Sequence, residues 1–179
     1  MKKTVRFLLA FLIAFALMMV IRAVGITIYT IDGTSLEPMF QAGDRVMVNR
    51  WSYGLRVGGK DSFFDYGRIA RQTVEKGDLV ALEHPHNSNQ ILICRCIGLP
   101  GDTINCGDQQ IIVPSLKDCA DADYYWFESI SSADSTDSHI QGLISEEYII
   151  GRVFMVAYSR NPLEQLWKGW RTNRIFLPV

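Results

Sequence analysis

Ile91-Leu92-Ile93-Cys94-Arg95-Cys96-Ile97-Gly98-Leu99-Pro100-Gly101-Asp102 is an apolar, β-branched run that ends abruptly in Gly, Pro and Asp. Such a run, bounded by turn residues, predicts a strand over residues 91–97 and a tight turn after it. Outward from it the pattern repeats. Gly77-Asp78 precedes an apolar run at 79–82, Gly43-Asp44 precedes one at 46–48, and residues 111–113 and 148–158 have the same character. Short strands set off by Gly-Asp turns, with no helical period among them, predict a mainly β domain. Residues 54–71 mix glycines and aromatics without a period and are expected to form a long loop or flap. Residues 128–139, rich in Ser and Asp, are expected to form a solvated loop.

The N-terminus differs from everything after it. Lys2, Lys3 and Arg6 precede an unbroken apolar run over residues 7–21, which Arg22 interrupts. At about 1.5 Å per residue the run covers about 22 Å, short of a bilayer core of about 30 Å. Continuing through Ile26 to Ile28, with the Arg22 guanidinium snorkelling to the headgroups, supplies the rest. The alternative is a cleaved secretory signal. A small-x-small cleavage site followed by a polar start is missing, and apolar character persists through Ile28 and Ile31, so an uncleaved anchor is expected. The basic end then stays in the cytoplasm. The expected division is a cytoplasmic N-terminus at 1–6, a transmembrane anchor at 7–28 and an extracytoplasmic β domain at 29–179.

The chain has 179 residues, with 18 Lys and Arg against 19 Asp and Glu, for a net charge of −1. That length fits one core. The scattered, balanced charge argues against a nucleic-acid partner, which requires a basic face. Cys106 and Cys119 could close a small loop in an oxidising compartment. Cys94 and Cys96 are expected on opposite faces of their strand and not bonded to each other.

Gly33-Thr34-Ser35-Leu36-Glu37-Pro38-Met39-Phe40 lies just beyond the expected anchor. Downstream come Gly43-Asp44-Arg45-Val46, Gly77-Asp78-Leu79-Val80, Arg95-Cys96-Ile97-Gly98-Leu99-Pro100-Gly101-Asp102, Ser135-Thr136-Asp137-Ser138, Gly142 and Gly151-Arg152. In this order and spacing the set resembles the type I signal peptidases over nearly the whole chain. The resemblance implies a coiled β-sheet domain behind one membrane helix. It also implies a Ser/Lys endopeptidase at the outer face of the cytoplasmic membrane, in contact with lipid and removing signal peptides from exported precursors. The substrate would bind as an extended strand with small side chains before the cut. Position by position, Ser35 matches the nucleophile, and its backbone N–H would serve the oxyanion. Gly33 would let the substrate backbone come close, with Leu36 and Pro38 beside it. Ser135 matches the serine that hydrogen-bonds the lysine, and Asp137 matches a structural aspartate. His139 stands where an arginine that pairs with that aspartate is usual.

Two departures concern the base. The lysine that takes the serine proton immediately precedes the arginine of the Arg-x-x-Gly-Leu-Pro-Gly-Asp box, and here that residue is Cys94. The Gly-Asp-Asn that precedes the Ser-x-Asp-Ser segment aligns with Ser129-Ile130-Ser131. A thiol in an apolar pocket is a poor base, because burial raises its pKa from about 8.5. His139 is the alternative base, and Lys60, Lys76, Lys117 and Lys168 match no base of the family. His84-Pro85-His86 and Cys94-Arg95-Cys96 offer four ligand-type side chains. Strand alternation is expected to part them, so neither a metal nor a cofactor is expected. The expected function is a membrane-bound serine endopeptidase. The alternatives are an inactive relative that binds precursor peptides or a partner, and a membrane-anchored redox or structural protein.

Overall fold

The computed structural model describes residues 2–32, 36–58, 65–85, 87–106, 109–118, 120–130, 142–164 and 168–179, with backbone alone at 2–3, 20–24, 87–89 and 106. Helix α1 (Lys2–Val24) carries the basic start and the apolar run. It ends before Gly25, and strand β1 (Ile26–Thr30) follows at once. Ile26 and Ile28, expected at the end of the anchor, instead pair in register with Asn49 and Met47 of β2 (Asp44–Asn49). The alternating β-branched sequence Ile-Thr-Ile-Tyr-Thr favours the strand there. Among the described residues no helix is long and apolar enough to cross a membrane.

The remaining strands are β3 (Leu55–Val57), β4 (Gly67–Ile69), β5 (Leu79–His84), β6 (Asn87–Gly98), β7 (Thr103–Cys106), β8 (Gln109–Ile112), β9 (Tyr124–Ser129), β10 (Leu143–Ser145), β11 (Ile149–Ser159) and β12 (Leu177–Pro178). The main sheet is antiparallel, in the order β1-β2-β11-β5-β6-β9-β10, and β12 pairs with the far end of β11. Two small ribbons, β3-β4 and β7-β8, stand apart from it. The domain is therefore mainly β, with strands where the Gly-Asp turns and apolar runs predict them. Inside the expected flap at 54–71 the chain forms the β3-β4 hairpin. The expected solvated loop at 128–139 begins as strand, because Glu128 and Ser129 close β9.

The three Gly-Asp pairs build one turn three times. Gly43, Gly77 and Gly101 have φ of +89°, +93° and +88°, a region that glycine enters without steric cost. Each aspartate then accepts the N–H three residues before it: Gln41 to Asp44 at 2.9 Å, Glu75 to Asp78 at 3.2 Å, and Leu99 to Asp102 at 2.7 Å. The backbone N–H of each aspartate returns the bond to the carbonyl of that same residue. Side chain and backbone thus close the turn from both directions, which starts the following strand in a fixed register.

The sheet is buried on both faces. Ala81 and Ile93 belong to one cluster, with Val46, Val48, Val153 and Phe40. Val80, Leu82, Cys94, Cys96 and Phe127 belong to the other. Neighbouring residues of β5 and of β6 fall in different clusters, so the clusters lie on opposite faces. Cys94 and Cys96 share the second cluster, which corrects the expectation that they face opposite ways. Side chains alternate with period two, so residues two apart return to the same face. They are buried thiols not joined to each other.

A buried ionic group fixes the β3-β4 hairpin to the sheet. Arg68, whose side chain is 1% exposed, lies 3.3 Å from Glu146 and donates to the carbonyls of Gly54 at 3.1 Å and Ile149 at 2.5 Å. Arg71 adds contacts to Glu146 and Asp123.

Candidate active site

Gly33 and Ser35 lie outside the described residues, as do Ser135, Asp137 and His139. What the structure describes is the frame on either side of Ser35. Before it, the Ile31 N–H donates to the Asp44 carbonyl at 2.8 Å, and the Gly43 N–H donates to the Ile31 carbonyl at 2.9 Å. After it, the Phe40 N–H donates to the Leu36 carbonyl at 3.0 Å and closes a turn. Phe40 is fully buried in the first cluster, and Leu36 and Met39 pack against that cluster. Pro38, after a cis peptide bond, is exposed.

That turn is held by the other end of the chain. Asp44 is fully buried and receives Arg174 Nη2 at 2.6 Å, and the same nitrogen donates to the Met39 carbonyl at 2.8 Å. Arg171 Nη1 donates to the Ala42 carbonyl and to Ser159 Oγ, each at 3.0 Å. Burial pushes the Asp44 carboxyl up, but the hydrogen bonds from Arg174, Gln41 and Ser159 together hold it below the usual carboxylate value. Asp44 and the two arginines are the supporting residues that sequence reasoning missed. Gly43-Asp44 was legible as a turn, but nothing local signals a partner 130 residues away.

On β6, Cys94 sits between two neighbours in register, Val80 on β5 and Ser129 on β9. It is 1% exposed, in the apolar pocket that also contains Leu82, Leu92 and Phe127. Burial pushes its thiol up to about 12. A thiol raised that far is protonated at neutral pH, which argues against its acting as a base or as a thiolate nucleophile. Cys96 is raised to about 12 as well, by burial and then by the Asp78 charge. Ser129 is the last residue of β9, so the segment that carries Ser135, Asp137 and His139 leaves the sheet directly beside Cys94.

The Gly-Leu-Pro-Gly-Asp box ends β6 as a latched turn. Asp102 accepts the Leu99 N–H and pairs with Lys76 at 2.9 Å, and these two contacts, in that order, hold its carboxyl low. The Gly77 N–H donates to the Cys96 carbonyl at 2.7 Å, and the Cys96 N–H to the Asp78 carbonyl at 2.9 Å. Asp78 in turn accepts Tyr53 Oη at 2.8 Å and lies 3.2 Å from Arg152. Two of the Gly-Asp boxes thus brace the strand that carries Cys94. Of the candidate metal ligands, His84 pairs with Asn87 while Cys94 pairs with Val80, four positions before His84 on β5, and His86 lies outside the described residues.

Residues 4–117 match the family described as signal peptidase, peptidase S26. A signal peptidase I of Rickettsia bellii is 31% identical over 113 residues, covering 60% of this chain and 39% of that protein. Signal peptidase I V of Bacillus subtilis is 30% identical over 123 residues, covering 69% of this chain and 60% of its own. Signal peptidase I of Pseudomonas aeruginosa is 30% identical over 88 residues, 49% of this chain and 30% of that one. The chain thus spans between 30% and 60% of the length of these relatives. Arg171 and Arg174 lie beyond the matched residues 4–117.

Proposed function

Because the chain belongs to the signal peptidase family, peptidase S26, we propose that it is a membrane-anchored serine endopeptidase that cuts signal peptides from exported precursors at Ser35. The supporting observation is the frame around the nucleophile. The turn at 36–40 is tied to the buried Asp44 by Arg174, so the backbone on both sides of Ser35 is fixed. Fixed flanks of this kind are what a nucleophile that reacts without reorganisation requires. Ser35 Oγ attacks the scissile carbonyl, its proton passes to a base, and the leaving amine later takes that proton. A Cys94 thiol raised to about 12 supports a base other than Cys94. His139, on the segment that leaves β9 beside Cys94, is the base this mechanism names. Gly33, Leu36 and Pro38 are the proposed contacts of an extended precursor strand, with Ser135 and Asp137 orienting the base.

The membrane anchor is part of the proposal and rests on the apolar sequence of residues 7–21, since the described residues of α1 do not by themselves make a span. α1 has 23 residues, about 34 Å at about 1.5 Å each. Phe7, Leu9, Phe11, Leu12 and Ile13 each expose more than half of their surface on it. This arrangement puts the N-terminus in the cytoplasm and the β domain on the extracytoplasmic side, close to where precursors emerge.

One observation favours a second function. Cys94 fills the base position, and Ser129 stands directly opposite it. Both departures meet at one point of the sheet, as they would in a precursor-binding relative that does not cut. The deciding experiment is cleavage of a model precursor with an Ala-x-Ala site by the full-length protein beside Ser35→Ala. Serine-dependent cleavage establishes the peptidase. Binding of the precursor without cleavage moves the assignment to the binding protein.

A further inference from the structure

After Arg160 the chain doubles back against the end of β11, and two residues in the left-handed region bracket the returning piece. Gly169 has φ of +86° and Phe176 has φ of +51°. A bulky side chain rarely takes that conformation, and Phe176 is 68% exposed, so burial of its ring does not account for it. What the reversal achieves lies in residues 170–175. Arg171 and Arg174 are set across a 3-10 turn at Thr172–Arg174, and both reach the segment after Ser35. Arg171 donates to the Ala42 carbonyl, and Arg174 to the Met39 carbonyl and to Asp44. The Phe176 N–H then donates to the Ala157 carbonyl at 3.2 Å, at the entry to β12.

Trp170 seats this piece. It bridges to Arg160, its ring lies 5.6 Å from the Tyr158 ring at 37°, and the Arg45 guanidinium stands 5.1 Å over the other partner's ring, that of Tyr158. Arg45 and Tyr158 are themselves in register across β2 and β11. Ring quadrupoles attract one another in a tilted pair and attract a cation over the face, so the three side chains form one stack. The Arg171 N–H, next in sequence, donates to the Ser159 carbonyl at 3.1 Å. We propose that Trp170 is a positioning residue for the reaction assigned to Ser35. Its stack on Tyr158 holds residues 170–175 against the end of β11, and from that seat the two arginines fix the backbone at 39–44. Long side chains lose much rotamer freedom when ordered, so their bonds persist only where their own backbone is fixed independently. The stack supplies that, because it rests on side chains of β2 and β11 rather than on the turn after Ser35.

This inference rests on Ser35 being the nucleophile, and its test separates the two. Trp170→Ala, Trp170→Phe, Tyr158→Leu and the Trp170→Ala, Tyr158→Leu double are made in the full-length protein. Backbone amide exchange and the kinetics of cleavage of an Ala-x-Ala precursor are both measured. Trp170→Ala speeds exchange at Phe40 and Gly43 by about tenfold or more, while the amides of β5 and β6 keep their rates. Its kcat falls about tenfold with KM within about twofold, because contacts with substrate remain and only alignment is lost. Trp170→Phe restores both, since a second ring still stacks. The double variant loses no more than Trp170→Ala alone, as two partners of one contact require. Should Trp170→Ala not fold, Tyr158→Leu asks the same question. Unchanged exchange at 39–44 overturns the proposal, and so does exchange that rises equally in β5 and β6, which makes Trp170 an ordinary packing residue. Faster local exchange with kcat unchanged overturns it as well. Faster local exchange in a protein whose wild type cleaves nothing keeps Trp170 as the seat of the clamp and removes the peptidase function instead.

Discussion

Arg174 Nη2 donates at once to the carboxylate of Asp44 and to the carbonyl of Met39, so one guanidinium ties the turn after Ser35 to the start of β2. Asp44 is fully buried and the Arg174 side chain is 12% exposed. Removing the arginine leaves the buried carboxylate with its Gln41 and Ser159 hydrogen bonds and with Arg171 at 3.9 Å, at a cost of up to about 3 kcal/mol. Arg174→Ala is expected to lower the urea midpoint of the domain by the corresponding amount, with the slope unchanged. Arg174→Lys recovers part of it, because an ammonium pairs with Asp44 but lacks the planar fork. An Arg174→Ala protein as stable as the wild type removes the clamp from the account of the site.

The same pair sets an acid limit. Asp44 is held below the ordinary carboxylate value, with burial opposing and the Arg174 hydrogen bond leading the groups that lower it. A depressed folded-state pKa contributes stability that is present above the unfolded value of about 3.9 and is lost as pH falls through the folded value. The thermal midpoint of the wild type should therefore fall steeply below about pH 4. Asp44→Asn should start lower at pH 7 and fall less over the same range. Parallel profiles for the two proteins would show that the acid transition belongs to other carboxylates, with Asp102 the next to test.

How far the sequence discloses this arrangement depends on the distance over which each feature is encoded. The turns at Gly43-Asp44, Gly77-Asp78 and Gly101-Asp102 are local, and the strands after the first two follow from them. The β3-β4 hairpin is hidden because its strands are three residues each and are held to the sheet by Arg68 of β4 rather than by an alternating apolar face. β6 begins at Asn87, in a polar stretch that its apolar centre does not reveal. At the candidate site, Cys94 and Ser129 are legible only as departures from the family resemblance, one in each of two boxes. That they face each other is a fact of register between β6 and β9, which no single segment contains. The arginines of the clamp act across 130 positions and leave no local trace.

Cys94 and Cys96 are both raised to about 12 and both buried, at 1% and 0% exposure. Alkylation needs the thiolate and access to it. At pH 8 the native protein should therefore leave both unmodified by iodoacetamide over hours, and both should react within minutes once urea unfolds the domain. Mass spectrometry of tryptic peptides reads the two sites directly. Rapid native labelling of Cys94 would reopen thiol chemistry, and with it a redox role for the chain.

The proposed anchor makes the remaining prediction. Along α1, Phe7 is 73% exposed, Leu8 56% and Leu9 58%, and successive helical residues, about 100° apart, point in different directions around the helix rather than along one stripe. Water disfavours such a surface and hydrocarbon does not. The full-length protein is therefore expected to stay with membranes after alkaline carbonate extraction, with the β domain digestible only from the extracytoplasmic side. A charge at the centre of a spanning helix costs about 3 kcal/mol in insertion, so Leu12→Arg together with Ile13→Arg should shift the protein to the extracted fraction. The β domain, whose main contact with α1 is at β1, should keep its midpoint in detergent. Wild-type protein that extracts with carbonate would mean that α1 rests on a surface instead of crossing it, and Ser35 would then need another way to meet precursors at the bilayer.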